Sequence, residues 1–397
     1  MLRFKLNYRF KCNCGREHYT YIKKVIVEPN AIEMVGECLK DLNVGCKGLI
    51  VQDVNTKKIA GDYLKLRLIE EGFKVYSIII NRPDEANISM VKDEVIKCKS
   101  DFILGVGGTS VLDVVKAAAL EASKIDRKIP YLTFSTTAAN DGLSSAVASI
   151  YERKNGIENK VSKVTDPPLA VIVDLNIISK TLENPATAWM IPAGCGDIIG
   201  KLTALKDWEL GRKEKGEYYC EYIADLAKAS VNDVLEKPER IATGELEGLK
   251  DYVESLISSG VAMILAGSSR PCSGSEHLFS HYLELYAIRE GLPLGRHGEQ
   301  VAVGERLMAI YHMRHNQENW WREKRYQPEE VLHFLKKVKC PHTISQIKIS
   351  EEVAVEALIN APLIRPERYT ILHKKPIKSR NEAIELINKV CGAGSGI

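Results

Sequence analysis

The chain has 397 residues, of which 45% are hydrophobic and 27% are charged. This composition is typical of a globular protein and excludes a disordered chain or one built of apolar membrane helices. The 55 basic and 52 acidic residues leave a formal net charge of +3 with both signs interspersed, which gives no basis for nucleic-acid binding. The length exceeds what one hydrophobic core usually supports, so we expect two domains with a cleft between them.

The N-terminal sequence MLRFKLNYRFKCNC lacks the apolar stretch of a signal peptide. No later segment approaches the roughly 20 apolar residues of a spanning helix. We therefore expect a cytoplasmic protein without a membrane span. The ten cysteines are scattered apart from Cys12 and Cys14, and in a reducing compartment most of them are expected to be small buried hydrophobic residues.

Short apolar segments alternate with helical patterns through about residue 180. The strand-like segments are 47–53, 74–80, 101–108, 131–136 and 169–175. Short, continuous apolar runs separated by helices are typical of parallel strands that are covered on both faces. We therefore predict an α/β domain over residues 1–182 with a Rossmann-like parallel sheet, in which ligands bind beyond the carboxyl ends of the strands.

The strand-like segments stop after about residue 185. Apolar residues then recur with helical spacing in segments 216–235, 247–266, 275–291 and 297–315. This pattern predicts an all-helical domain over residues 183–397, joined to the first domain by the polar connection TLENPATA. The active site is expected in the cleft between the two domains.

A glycine-rich turn follows the third predicted strand. It reads GVGGTS from Gly105 to Ser110, and a predicted helix begins directly after it. Glycines there let backbone N–H groups approach a diphosphate, and the helix N-terminus adds positive potential. The spacing is neither GxGxxG nor a Walker A loop. A tight structural turn explains the same residues equally well.

Two other strand ends point to the same edge of the sheet. Asp53 closes the first predicted strand and is placed to accept hydrogen bonds from the adenosine ribose of NAD, where its charge would repel the extra phosphate of NADP. A helix N-cap or a turn accounts for Asp53 as well. The fourth strand ends in Thr136 to Ala139, small residues past which a nicotinamide or ribose could lie close to the backbone.

Two histidines and an aspartate have the chemistry of a metal site. His277 lies near the start of one predicted helix with His281 one turn later, and His297 begins the next helix after a short connection. Asp197 follows glycines and is expected to begin a helix. Two imidazoles and a carboxylate leave an open position on a catalytic divalent metal. The same residues also fit a capped helix and a polar helix face.

The other histidines give weaker signals. Cys12, Cys14 and His18 offer three zinc ligands, but no fourth follows at a usual spacing, so we favour a β-hairpin turn over a zinc module that binds a partner or nucleic acid. Five further histidines lie in segments without carboxylates at useful spacing and are expected to be surface or packing residues: His312, His315, His333, His342 and His373.

Six motifs occur in a fixed order along the chain. They are GVGGTSVLDVVK, STTAANDGLSS, DPPLAVIVDLNII, AGCGDII, SGSEHLFSHYLE and HGEQVAVG. As an ordered set they resemble the glycerol-1-phosphate dehydrogenase family, within the iron-containing alcohol dehydrogenase and dehydroquinate synthase superfamily. The segments FKCNCGREH and APLIRPERYTIL resemble its bacterial, AraM-type branch.

The resemblance implies a dehydroquinate synthase-like fold and a set of site residues. The metal ligands carry over to Asp197, His277 and His297, and the substrate contacts to Asp141, Asp197 and His281, with Asp141 and His281 as catalytic residues. The cofactor contacts carry over to Asp53, Gly107, Gly108, Thr109, Ser110, Val111, Thr136, Thr137, Ala138, Ala139 and Ser145. The implied cofactors are NAD, or NADP in its place, and one divalent metal, Zn or Ni. The implied assembly is a homodimer.

The implied reaction is the reversible, NAD(P)-dependent reduction of dihydroxyacetone phosphate to sn-glycerol 1-phosphate. The metal would polarise the ketone oxygen, and His281 would relay the proton. Two alternatives stay open: the departure of Ala138 to Asn140 from the family pattern supports the first, and the fold shared within the superfamily allows the second. One is a dehydrogenase acting on another small polyol, hydroxy-phosphate or phosphonate. The other is a dehydroquinate synthase-like lyase.

Overall fold

A six-stranded parallel sheet forms the centre of the first half of the chain. The computed structural model describes residues 2–125, 127–154 and 156–392. In these residues the strands are β1 (Tyr8–Lys11), β2 (Glu17–Thr20), β3 (Lys24–Glu28), β4 (Lys47–Gln52), β5 (Lys74–Ile79), β6 (Phe102–Gly107), β7 (Tyr131–Ser135), β8 (Val147–Lys154), β9 (Ile157–Val164) and β10 (Ala170–Asp174). The sheet has the order β3-β10-β7-β6-β4-β5, and each neighbouring pair is parallel.

The five predicted strands are confirmed as β4, β5, β6, β7 and β10. Successive residues of β4 enter different hydrophobic clusters, Ile50 on one face of the sheet and Leu49 and Val51 on the other. Burial on both faces explains why these strands are continuously apolar in sequence. Strand β3 was not predicted because it is a short edge strand that pairs with β10 alone and has charged residues at both ends.

Two antiparallel hairpins lie outside the main sheet. Strands β1 and β2 form the hairpin expected around Cys12, whose turn includes Gly15 in the left-handed region with φ of 84°. Strands β8 and β9 form a second hairpin, which was not predicted. Its strand β8 is only partly buried and ends in charged residues, so its sequence lacks the apolar run of a core strand.

The second half of the described chain is helical, as predicted, and further helices alternate with the strands of the first half. The α-helices are α1 (Val35–Asp41), α2 (Val54–Thr56), α3 (Asp62–Glu70), α4 (Glu85–Cys98), α5 (Thr109–Ser123), α6 (Leu175–Lys180), α7 (Met190–Ile199), α8 (Lys201–Lys215), α9 (Glu221–Leu235), α10 (Pro238–Ala242), α11 (Leu246–Ala266), α12 (Ser275–Arg289), α13 (His297–His315), α14 (Pro328–Lys337), α15 (Glu351–Asn360), α16 (Ile371–Lys374) and α17 (Arg380–Gly392). Short 3-10 helices span Ala31–Met34, Asp141–Leu143, Gln317–Asn319, Lys324–Tyr326 and Ala361–Ile364, and a π-helical turn spans Lys57–Gly61. Among the described residues, no helix is both long and apolar enough to cross a membrane.

The predicted helix start at Asp197 is wrong. Helix α7 begins at Met190, so Asp197 lies in its last turn rather than at its N-terminus. The segment from Ile191 to Gly196 is buried and becomes helical because it packs in the interior. Gly196 allows α7 to cross α13 closely, since a side chain there would overlap the carbonyl oxygen of Gly298. This close crossing brings Asp197 and His297 towards each other.

One of the hydrophobic clusters of the described residues spans both halves of the chain. Val171 and Val173 of β10 belong to the same buried cluster as Ile198 of α7 and Leu256 of α11. The N-terminal hairpin also packs on the helical half, where the ring of Phe10 meets Tyr222 of α9 edge-on at a centroid distance of 5.1 Å. We propose that the boundary between the two domains lies near residue 182.

Candidate active site

A cavity of about 1130 Å³ lies between the carboxyl edge of the sheet and the helical half. Of the predicted site residues, it is lined by Asp53, Gly108, Thr109, Ser110, Val111, Thr136, Thr137, Ala139, Asp141, Ser145, Asp197, His277, His281 and His297. Gly107 and Ala138 lie behind this lining, since both are buried, Gly107 as the last residue of β6. The structure therefore brings the predicted metal, substrate and cofactor residues to one cavity.

Three side chains from α7, α12 and α13 converge at the wall of this cavity. The Oδ1 atom of Asp197 lies 3.4 Å from His277 Nε2 and 3.8 Å from His297 Nε2. One donor atom from each residue lies within 4.8 Å of the other two. Two imidazole nitrogens and a carboxylate oxygen at such separations suit a divalent cation that keeps a position open for substrate.

Each of the two histidines is oriented by a carboxylate at its other ring nitrogen. His277 Nδ1 lies 2.6 Å from Glu276 Oε1, and His297 Nδ1 lies 3.1 Å from Glu284 Oε1. An Nδ1–H that donates to a carboxylate leaves the lone pair on Nε2 free for a metal. The donor set thus fits a metal in its hydrogen-bonding as well as in its residue types.

A buried lysine joins Asp197 to the predicted substrate residue Asp141. The Nζ atom of Lys201 lies 3.0 Å from Asp141 Oδ2 and 3.3 Å from Asp197 Oδ2. Burial alone would lower the pKa of Lys201, but the two carboxylates raise it above its ordinary value. Burial also opposes ionisation of Asp197, yet Lys201 and His277 hold the pKa of its carboxyl below its ordinary value. Both groups are therefore charged at neutral pH.

His281 lies in the same cavity, one helical turn after His277. Its ring centroid is 6.0 Å from that of His277 and 5.8 Å from that of His297. Burial and the nearby charge of Arg365 hold the pKa of His281 well below its ordinary value. A neutral imidazole donates one hydrogen bond and accepts another, which suits contact with a hydroxyl group.

Two arginines approach the cavity near His281. Arg365 lines the cavity, and its Nη2 atom donates to Ser162 Oγ at 2.9 Å. The guanidinium group of Arg368 is oriented by the backbone, because its Nη1 atom donates to the backbone oxygen of Ser273 at 2.6 Å. Burial and the charge of Arg365 lower the pKa of Arg368 to about 9. An anion placed beside these two guanidinium groups would relieve their mutual repulsion.

The glycine-rich loop connects β6 to α5 and also lines the cavity. Gly108 is the N-cap residue of α5, and a side chain there would press on Thr137. Val111 and Leu112 donate their backbone N–H groups to the carbonyl oxygen of Gly108, and Thr109 and Ser110 of the first turn line the cavity. A helix N-terminus placed in this way favours an anionic group such as a diphosphate. Asp53 caps α2, and its Oδ1 atom accepts hydrogen bonds from the backbone nitrogens of Asn55 and Thr56 at 2.7 and 2.9 Å. Asp53 therefore caps a helix, as one interpretation of the sequence predicted, and also lines the cavity.

Buried polar contacts fix the loop that follows β7. Thr109 Oγ1 donates to Asn140 Oδ1 at 3.1 Å, which ties the glycine-rich loop to the segment before Asp141. Lys116 of α5 is fully buried and donates to the backbone oxygens of Gly142 at 2.6 Å and Val147 at 2.9 Å. These bonds satisfy carbonyl groups of the loop and hold Asp141 at the cavity wall.

Sequence similarity to known proteins establishes the family of this chain. Residues 26–181 match the family model described as iron-containing alcohol dehydrogenase. Glycerol-1-phosphate dehydrogenase [NAD(P)+] of Pyrococcus horikoshii is 40% identical over 374 residues, which cover 93% of this chain and 97% of the relative. The enzyme of that name from Methanothrix thermoacetophila is 37% identical over 351 residues, or 88% of this chain and 90% of the relative. The chain therefore belongs to the glycerol-1-phosphate dehydrogenase family, as its motifs predicted, whereas the bacterial branch stays a prediction.

Solved structures confirm the predicted fold. A probable glycerol dehydrogenase from Sinorhizobium meliloti superposes with a TM-score of 0.69 at 20% identity, covering 94% of this chain and 97% of that one. Maleylacetate reductase from Agrobacterium tumefaciens superposes with a TM-score of 0.71 at 13% identity, covering 98% of each chain. At such low identities the superpositions show the architecture alone, a parallel sheet joined to a helical half.

Several site residues were missed or left unassigned by the sequence analysis. Lys201 was recognisable only as a lysine one turn after Asp197, and Glu276 only as a neighbour of His277. Glu284 lies two turns after His277 on the same helical face, which was a usable signal. Arg365 reaches the cavity from a loop far along the chain, so spacing gave no indication of it.

The contact between Glu276 and His277 can be tested by replacing Glu276 with Gln. This change keeps the shape of the side chain but removes the charge that raises the basicity of the imidazole, so we expect about 10-fold to 100-fold weaker metal binding. Metal affinity would be measured by competition with a chelator. The control is Glu290→Gln at the end of α12, where the carboxylate pairs with Arg289 instead. An unchanged affinity in folded Glu276→Gln protein would contradict the orienting role.

Proposed function

We propose that this chain catalyses the NAD(P)-dependent reduction of dihydroxyacetone phosphate to sn-glycerol 1-phosphate, and the reverse reaction. The observation that carries the proposal is the shared cavity of the metal donors, Asp141, His281 and the glycine-rich loop. Relatives named glycerol-1-phosphate dehydrogenase [NAD(P)+], which match more than nine tenths of the chain, support the same activity.

Asp197, His277 and His297 are proposed to hold one divalent metal, Zn or Ni. A cation there would act as a Lewis acid on the carbonyl oxygen of the substrate. Lys201 keeps Asp197 ionised, and Glu276 and Glu284 fix the two imidazoles, so the donors are oriented before substrate arrives. Ionised Asp197 supplies the negative charge that such a cation requires.

The dinucleotide is proposed to lie along the carboxyl edge of the sheet. The first turn of α5 would hold the diphosphate, with Gly108 giving access to the backbone. The backbone N–H groups that Asp53 caps donate to its Oδ1 atom, which leaves Oδ2 to accept hydrogen bonds from an adenosine ribose. Because the carboxylate would repel the extra phosphate of NADP, NAD is preferred and NADP is accepted less well. Thr136, Thr137, Ala139 and Ser145 would line the nicotinamide end, with Gly107 and Ala138 shaping the loop from behind. Family resemblance further supports a homodimer.

The substrate is proposed to bind between Asp141, His281 and Arg365. Asp141 would accept a hydrogen bond from a hydroxyl, and neutral His281 would donate one to the oxygen that gains a proton on reduction. Arg365 would hold the phosphate, since it lines the cavity close enough to His281 to depress the pKa of that imidazole. The substrate phosphate would place an anion beside Arg365 and Arg368.

The proposed reaction can be tested with a substrate panel. Purified protein loaded with zinc or nickel should oxidise NADH in proportion to added dihydroxyacetone phosphate, faster than NADPH, and form sn-glycerol 1-phosphate. Replacing His297 with Ala should abolish metal binding at the cavity together with turnover, whereas exposed His333→Ala serves as the matched control.

Other outcomes of the panel identify other functions. Turnover of free polyols alone would indicate a glycerol dehydrogenase-like specificity. Conversion of a phosphorylated substrate without net consumption of NADH would indicate a lyase of the dehydroquinate synthase type. Equal rates with NADH and NADPH would contradict the role given to Asp53. Full activity in metal-free His297→Ala protein would contradict the role of the metal.

The phosphate contact is tested by replacing Arg365 with Ala. Loss of one charge-assisted contact of about 1.5–3 kcal/mol corresponds to a KM for dihydroxyacetone phosphate roughly 10-fold to 100-fold higher. The KM for NADH should not change, and Arg365→Lys should retain part of the binding. Lys163→Ala is the matched control, because Lys163 pairs with Glu152 on the β8–β9 hairpin. An unchanged KM for the phosphorylated substrate would refute the assignment.

A further inference from the structure

A second cluster of metal-binding side chains lies in the N-terminal hairpin, apart from the cavity. Cys12 and Cys14 belong to the turn that joins β1 and β2, and His18 belongs to β2. Cys220, the N-cap residue of α9, is the fourth member of the cluster. The four residues do not line the active-site cavity.

The donor atoms of this cluster have the separations of a tetrahedral site. His18 Nε2 lies 3.2 Å from Cys14 Sγ and 3.7 Å from Cys220 Sγ, and the sulfurs of Cys12 and Cys220 lie 3.6 Å apart. All four donor atoms lie within 4.8 Å of one another. Tetrahedral zinc with Zn–S of about 2.3 Å and Zn–N of about 2.0–2.1 Å places neighbouring donors about 3.5–3.8 Å apart. The separations of 3.6 and 3.7 Å lie in that range, and the separation of 3.2 Å lies just below it.

The surroundings orient the ligands as a metal site requires. His18 is buried, and its Nδ1 atom lies 3.0 Å from the backbone oxygen of Leu265, so Nδ1 carries the proton and Nε2 is left as the ligand. The hydroxyl of Tyr218 lies 3.3 Å from Cys14 Sγ, where it can donate a hydrogen bond to a thiolate. These contacts come from the helical half, so the hairpin and the helices build the cluster together.

We propose that Cys12, Cys14, His18 and Cys220 bind a structural zinc ion. Three thiolates and one imidazole fill all four tetrahedral positions, so the site is closed to substrate and its role is to stabilise the fold. The ion joins the hairpin to the start of α9, which anchors the N-terminal segment to the helical half. Spacing along the chain did not reveal the site because Cys220 lies 202 residues after His18.

Zinc content per chain tests the proposal. Protein reconstituted with zinc and exhaustively dialysed against a chelator-free buffer should hold two ions per chain. His297→Ala should hold one, Cys220→Ser should hold one, and the double variant should hold none. The control is Cys46→Ser, since Cys46 is an exposed cysteine outside the cluster, and this variant should hold two. A single ion in the unmodified protein that disappears with His297→Ala would overturn the proposal.

Two further measurements keep the test valid if the cysteine variants fail to fold. Cobalt loaded into His297→Ala protein should give thiolate-to-metal charge-transfer absorption, which oxygen and nitrogen ligands alone do not produce. His18→Cys keeps four ligands and should retain zinc. A Cys12–Cys220 disulfide found by mass spectrometry of freshly purified, metal-reconstituted protein, or a cobalt spectrum without the charge-transfer bands, would overturn the assignment.

Discussion

The buried ammonium group of Lys201, placed between the carboxylates of Asp141 and Asp197, is the interaction on which the site depends. A charge without access to water is costly unless opposite charges and hydrogen bonds compensate it. Here each carboxylate also needs the lysine, because two buried anions would otherwise repel each other and one would be protonated. Asp141 follows the sheet and Asp197 belongs to α7, so Lys201 links the sheet edge to the helical half within the site.

A close crossing of two helices places Asp197 beside His297. Helix α7 can bring Asp197 to the cavity only because Gly196 lets it cross α13 at close range, next to His297. Helix α12 then presents His277 towards the proposed metal position and His281, one turn later, towards the proposed substrate position. Carboxylates behind His277 and His297, the two proposed ligand histidines, hold the rings in place. The result is a polar site that is organised before any ligand binds, as efficient catalysis requires.

The sequence predicts what depends on local pattern and misses what depends on contacts between distant segments. The apolar runs revealed five core strands, and helical spacing located His277, His281 and His297. The helix start assigned to Asp197 was wrong because burial of the preceding apolar residues extends α7 towards its N-terminus. His312 was expected to lack a carboxylate partner, but folding places it 3.1 Å from Asp207. Such partners are separated by long stretches of chain and leave no local signal.

Asp197, His277 and His297 are proposed to hold one divalent metal together at the substrate cavity. The most direct measurement is anomalous X-ray diffraction at the zinc or nickel absorption edge, from crystals of the metal-loaded protein. We expect an anomalous difference peak about 2.0–2.2 Å from an oxygen of Asp197 and from the Nε2 atoms of both histidines. Crystals of fully active protein that show no anomalous peak between these three residues would contradict it.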